Sequence, residues 1–233
     1  MLFKALREAV LEANLELVRR GLVLYTFGNA SGVSREQQRV AIKPSGVPYD
    51  RLRPEDIVIT DLDGKVVDGE LRPSSDLATH LVLYRQFPQI GGVAHTHSEF
   101  ATAWAQARRA IPCFGTTHAD YFAGPVPVTA GLQPEEIATD YEQNTGLVIC
   151  RTLADPAAQS VPAVLVAGHG PFTWGADAAE AAHHAVLLEA VARMAYYTVA
   201  LAGDAAPIAR ELHDKHYQRK HGNTAYYGQV SGK

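Results

Sequence analysis

Short β-rich stretches fill the first half of this chain without regular alternation with helices, and that pattern narrows the fold more than any other feature. LVLYTF at 22–27, RVAIK at 39–43 and DIVIT at 56–60 follow one another with no helical periodicity between them. The turn signal Asp61-Leu62-Asp63-Gly64 then leads into Lys65-Val66-Val67, which predicts a hairpin. IGGVAHTH at 90–97, LVICR at 147–151 and AVLVAG at 163–168 read as further strands. A doubly wound parallel sheet requires a helix between successive strands. The pattern instead favours an α/β fold with a mixed, largely antiparallel central sheet flanked by helices.

The helices announce themselves by period and by their ends. Leu6, Val10, Ala13 and Leu17 recur at helical spacing over 3–20, and Gly21 is a stop signal. Ser74, Ser75 and Asp76 carry oxygens that can cap free amides ahead of LATHLVLYRQF. A helix is predicted over 99–109, and Pro134-Glu135-Glu136 has the proline and acids of a helix start. An Ala-rich helix over 177–202 and a polar one over 206–219 complete the set. With no internal repeat and no linker composition, residues 1–233 read as a single domain.

Composition then removes function classes. A 47% apolar content predicts a buried core, and a formal charge of −4 argues against a general nucleic-acid binder, which needs a basic face. Only Cys113 and Cys150 occur, too few for a disulfide framework and suited to a reducing, cytoplasmic setting. The first residues are charged throughout, unlike a signal peptide, and no apolar run approaches the ~18 residues that span a bilayer.

His95 and His97 stand at i and i+2 at the end of an apolar strand, so both side chains leave one face. His169 likewise lies just beyond an apolar strand. Three neutral imidazoles suit zinc, and a catalytic zinc keeps a position for substrate. Asp76, arriving at a helix start, reads equally as a fourth ligand or as an N-cap. The histidines elsewhere are scattered and read as surface or packing residues.

Two segments suit an anion. Gly28-Asn29 and Lys43-Pro44-Ser45-Gly46 are small, polar and follow strands, while Ser74-Ser75 joins hydroxyls to the positive end of a helix. Ordinary turns use the same residues. Neither a G-x-G-x-x-G fingerprint nor a P-loop is present. Asp120 in TTHADYF and the tail KHYQRKHGNTAYYG offer acid–base chemistry, or, for the tail, a docked end held by tyrosines.

Taken together, FGNASGVS (27–34), IKPSGVPY (42–49), PSSDLATHLVLY (73–84), GGVAHTHSEFATAWAQA (91–107), GTTHADYF (115–122), GHGPFTWG (168–175) and DKHYQRKHGNTAYYGQ (214–229) resemble the L-ribulose-5-phosphate 4-epimerases of the class II aldolase/epimerase superfamily. The blocks run in order over nearly the whole chain. The resemblance implies a three-layer fold and a zinc ion held by His95, His97 and His169, with Asp76 on or beside it. It implies that Gly28, Asn29, Ser45, Gly46, Ser74 and Ser75 bind a pentulose 5-phosphate. It assigns acid–base roles to Asp120 and Tyr227, which reach a zinc held by a neighbouring chain of a homotetramer. Phe27 stands where the family often has Trp, and Val-Ser-Gly-Lys follows Gln229.

The rival on the same fold is a class II sugar-phosphate aldolase similar to the fuculose-phosphate enzymes, which usually carry Glu where this chain has Asp76. A non-catalytic zinc or sugar-phosphate binding module leaves the acid–base candidates unused. A zinc hydrolase lacks its H-E-x-x-H.

Overall fold

The computed structural model describes residues 1–222, 225 and 226. Helix α1 (Lys4–Arg19) precedes strands β1 (Asn29–Ser34), β2 (Arg39–Ile42), β3 (Val58–Thr60) and β4 (Val66–Asp68). After α2 (Leu77–Gln86), β5 (Gly92–His95) and α3 (Glu99–Gln106) come the shorter helices α4 (Thr116–Ala119) and α5 (Pro134–Ala138). Then follow α6 (Tyr141–Thr152), α7 (Pro156–Gln159), β6 (Ala163–Val166), β7 (Gly170–Gly175), α8 (Ala178–Leu201) and α9 (Arg210–His221).

The strands form one sheet in the order β4-β3-β2-β1-β5-β7-β6, and every neighbouring pair is antiparallel. The alternation of side chains across a pleated strand builds the layers. Ala30, Ala41, Ile59 and Ala94 face α1 and the start of α8, where Val10, Leu17 and Ala182 meet them. Their neighbours Val40, Ile42 and Val93 face the other way, onto Leu81 and Tyr84 of α2 and Ile149 of α6. Beyond this, Ala163 and Leu165 pack with α3 and the later turns of α8. Helices therefore cover both faces of an antiparallel sheet, as expected. Among the described residues no helix is long and apolar enough to cross a membrane.

Three stretches depart from their expected structure. Residues 22–27 are not a strand: Tyr25 sits at φ +54, and Phe27 N–H donates to the Leu24 carbonyl at 3.0 Å, so the chain turns. The central strand is instead Asn29–Ser34, whose small residues pair on both sides, with β2 and with β5. Propensity misses it because crowding, not β-branching, decides there. A Cβ on Gly32 would meet Val10 at 3.1 Å.

LVICR at 147–151 is the second half of α6, and tertiary packing overrides its β-branched residues. Gly146 lets α6 lie close to α2, since a Cβ there would come 2.7 Å from Val82 Cβ. Gly146→Ala is therefore expected to destabilise. The ~1 kcal/mol gain in helix propensity loses to an overpacking cost of ~1–3 kcal/mol against a stiff β-branched neighbour. A lower urea midpoint with unchanged m-value would show this; a higher midpoint would mean the two helices have room to spare.

Candidate functional site

Strand ends converge on one cleft of about 380 Å³. The register pairs Asn29 with His95 at the end of the β1–β5 ladder, so a residue from each strand enters the same space. His97 follows β5 by two positions, and His169 occupies the turn between β6 and β7. One ring nitrogen from each of His95, His97 and His169 lies within 4.8 Å of the others, close enough to hold one metal ion.

The rings are oriented from behind. A carbonyl can only accept, so His95 Nδ1 carries the proton it donates to the Pro171 carbonyl at 2.9 Å. In the neutral ring Nε2 then has the lone pair, and it lies 3.1 Å from His97 Nε2. Phe172 stacks on His95 with centroids 4.1 Å apart and fixes the ring plane. Burial, with a contribution from the neighbouring imidazoles, pushes the His97 pKa down and that of His169 to about 4. Neutral imidazole is the form that ligates a metal. A cluster of three imidazoles fits zinc and related divalent ions.

Asp76 enters the cleft at the start of α2, but its side chain caps no helix amide. Its Oδ2 instead accepts from Asn29 Nδ2 at 2.6 Å, and the same amide donates to Ser74 Oγ at 3.1 Å. Burial alone would raise the Asp76 pKa. Nearby His95 and His80, and the Asn29 amide, hold it below the usual carboxylate range.

Small and hydroxyl-bearing residues complete the cleft. Gly28, Ser45, Gly46, Ser74 and Ser75 all line it. Gly28 is required twice over, by φ +94 and because a Cβ would stand 2.9 Å from the His95 carbonyl. The amides of Ser45 and Ser74 are already engaged by the Arg72 and Lys43 carbonyls, so hydroxyls remain their donors. The cation is Lys43, buried at 2% exposure, with Nζ 3.2 Å from the Pro44 carbonyl and 4.6 Å from the Tyr49 ring centroid. Among the described residues no carboxylate pairs with it, and burial lowers its pKa to about 8. An anion in the cleft would supply the missing counter-charge.

Asp120 does not line this cleft. It ends α4, and Arg219 of α9 grips it with Nε at 3.0 Å from Oδ1 and a terminal nitrogen at 2.7 Å from Oδ2. His216 Nδ1 lies 3.0 Å from Oδ1, and His221 Nε2 donates to the Asp120 carbonyl at 2.9 Å. Burial opposes ionisation, but Arg219 and His216 keep the carboxyl pKa below the ordinary range. Tyr227 lies outside the described residues.

Comparison with known proteins decides the family. Residues 8–196 match the class II aldolase and adducin N-terminal domain. The chain belongs to this family. It is 53% identical over 224 residues, covering 96% of this chain and 98% of the relative, to the L-ribulose-5-phosphate 4-epimerase UlaF of Salmonella paratyphi A. The protein of that name from Salmonella typhi matches to the same extent. Among solved structures, an L-fuculose 1-phosphate aldolase superposes with a TM-score of 0.78 at 26% identity, over 94% of this chain and 97% of that one.

In this class II aldolase-family chain the cleft also gathers residues that the sequence did not single out. Tyr141 and Glu142 line it from the first turn of α6. Reading 147–151 as a strand hid the start of that helix, and with it the reason for Tyr141 to face the histidine cluster. Lys43 was legible as part of a polar turn, while its burial beside the cleft depends on the packing around it.

Proposed function

We propose that this chain is a zinc-dependent L-ribulose-5-phosphate 4-epimerase that interconverts L-ribulose 5-phosphate and D-xylulose 5-phosphate. One observation carries the reading: three clustered imidazoles and a buried lysine, paired with no carboxylate among the described residues, share one cleft of a size for a small sugar phosphate. End-to-end similarity to proteins named for that reaction supports it.

The chemistry explains why such a cleft is needed. In a 2-keto pentose the C4 proton is not acidic, so a base alone cannot invert C4. The C4 hydroxyl is β to the C2 carbonyl, which is the arrangement for retro-aldol cleavage of C3–C4. When bound by His95, His97 and His169, with Asp76 on or beside it, zinc supplies Lewis-acid stabilisation for negative charge on the C2 and C3 oxygens. Lys43 and the hydroxyls of Ser45, Ser74 and Ser75 hold the phosphate of the departing glycolaldehyde phosphate. Gly28 and Gly46 let the backbone approach it, and Asn29 Oδ1, buried and without a partner among the described residues, accepts from a sugar hydroxyl. The aldehyde turns while its phosphate stays held, and re-addition to its other face gives the epimer.

Cleavage needs a group to take the C4 hydroxyl proton and another to return one from the opposite side. We assign these roles to Asp120 and Tyr227 of a neighbouring subunit, within a cytoplasmic homotetramer of single-domain chains. The distance of Asp120 from its own cleft supports that arrangement. So do Tyr196, Tyr197 and Leu201, which leave the outer face of α8 apolar and exposed.

The test is conversion of L-ribulose 5-phosphate to D-xylulose 5-phosphate, followed by a coupled assay. Activity should vanish with a chelator and return with zinc. Net release of dihydroxyacetone and glycolaldehyde phosphate would instead make the chain an aldolase, the activity named for its structural neighbour.

A further inference from the structure

Tyr141 stands where it touches both the histidine cluster and the open cleft. It opens α6, which is tied to α2 by the Thr79 hydroxyl donating to the Glu142 carbonyl at 2.5 Å. The phenol oxygen lies 3.3 Å from His169 Nδ1, with the two rings 6.1 Å apart and tilted by 34°. It lines the same cleft as Asp76, His95 and His97.

Two groups share the His169 ring. A nitrogen hydrogen-bonded to a phenol is not the one that ligates, so ligation falls to Nε2. In neutral imidazole the proton then sits on Nδ1, and Nδ1–H donates to the Tyr141 oxygen. Having accepted that bond, the phenol keeps its own O–H to donate, and a substrate oxygen in the cleft that it lines competes for it with the neighbouring Thr145 side chain. Breaking C3–C4 gathers negative charge on the substrate's C2 and C3 oxygens, beside the cluster. A donor fixed there before the reaction starts acts as an oxyanion-hole group does, at no cost of reorganisation.

We propose that Tyr141 is a further catalytic residue, donating a hydrogen bond from its phenol to the substrate oxygen on which negative charge develops. No proton is transferred. The identity of the substrate rests on the epimerase reading, whereas the position of the donor does not.

The experiment compares wild type with Tyr141→Phe in three measurements at saturating zinc, plus a zinc titration against a chromophoric chelator. Turnover of L-ribulose 5-phosphate is expected to fall about 10²–10³-fold, as when one oxyanion donor is removed. Affinity for glycolohydroxamate, whose planar pair of oxygens copies an enediolate, should fall in parallel. Inorganic phosphate should bind both proteins alike, showing an intact cleft, and zinc affinity should stay within a few-fold.

Zinc affinity lower by about 10–100-fold, with turnover restored by excess zinc, would make Tyr141 only an orienting partner of His169 and overturn the proposal. Unchanged turnover and hydroxamate binding would overturn it outright. If wild type does not turn over L-ribulose 5-phosphate yet the variant still loses hydroxamate affinity, the epimerase reading falls and the donor role of Tyr141 stands.

Discussion

Replacing His97 by Ala is expected to weaken zinc binding by well over about 100-fold and to carry turnover down with it. Loss of an outer hydrogen-bond partner already costs about 10–100-fold in metal affinity, and loss of a ligand exceeds that. The expectation follows from how little else is available. His95 and His169 remain, the first buried and the second half-buried, and both are held, His95 by its bond to the Pro171 carbonyl and by Phe172 stacked on its ring, His169 by its contact with the Tyr141 phenol. Neither can swing to replace the missing nitrogen, 3.1 Å from His95 Nε2. Asp76 lines the same cleft, but its Oδ2 is engaged by the Asn29 amide. Two imidazoles leave a site that a competing chelator should empty. Zinc competition in wild type and variant measures the effect directly. Retention of zinc at wild-type affinity would mean that the three-histidine cluster is not the metal site.

Why this cluster was legible from sequence, and the central strand was not, comes down to which residues carry their own signal. His95 and His97 are separated by the strand period at the end of an apolar run, which predicts a common direction, and although β5 ends at His95 the two rings meet with centroids 4.9 Å apart. Ser74, Ser75 and Asp76 precede an apolar helical pattern, and α2 starts immediately after them. Asn29–Ser34 has no such signal. It is a strand because β2 and β5 hydrogen-bond to both of its edges, a fact of tertiary assembly. LVLYTF shows the converse, with strong β propensity in a segment that has no strand partner and turns at Tyr25.

Lys43 marks the same boundary within the site. The polar turn can be read from residues 43–46, but a lysine at 2% exposure, with no carboxylate paired to it among the described residues, cannot, because its burial comes from the packing around it. The Asp120 network is split across almost 100 residues of chain, from α4 to α9, and only the fold brings Arg219 and His216 to the carboxylate. Sequence resemblance supplied Asp120 as a residue of interest; the ion pair that keeps it charged is a structural finding.

Asp120→Asn and His97→Ala should each give an inactive homotetramer, yet a mixture of the two should recover activity. Asn has the shape of Asp but no charge and no basic oxygen, so a group serving as acid or base loses its function, a cost of about 10²–10⁴-fold in turnover. The loss in His97→Ala is of a different kind, in the metal half of the site. If each site joins the metal half of one chain to Asp120 of its neighbour, the defects complement. An Asp120→Asn chain still offers three good imidazoles, and a His97→Ala chain still offers Asp120. Dissociated, mixed in equal amounts and reassembled at random, about a quarter of the sites would pair two intact halves. The recovered rate should approach that share of wild type, with zinc content near half. Mixed tetramers that form, as seen by native mass spectrometry, but stay inactive would place both halves of the site in one chain. Asp120 would then have to be judged by its bonds to Arg219 and His216 alone, as the anchor of α9 rather than as an acid–base group.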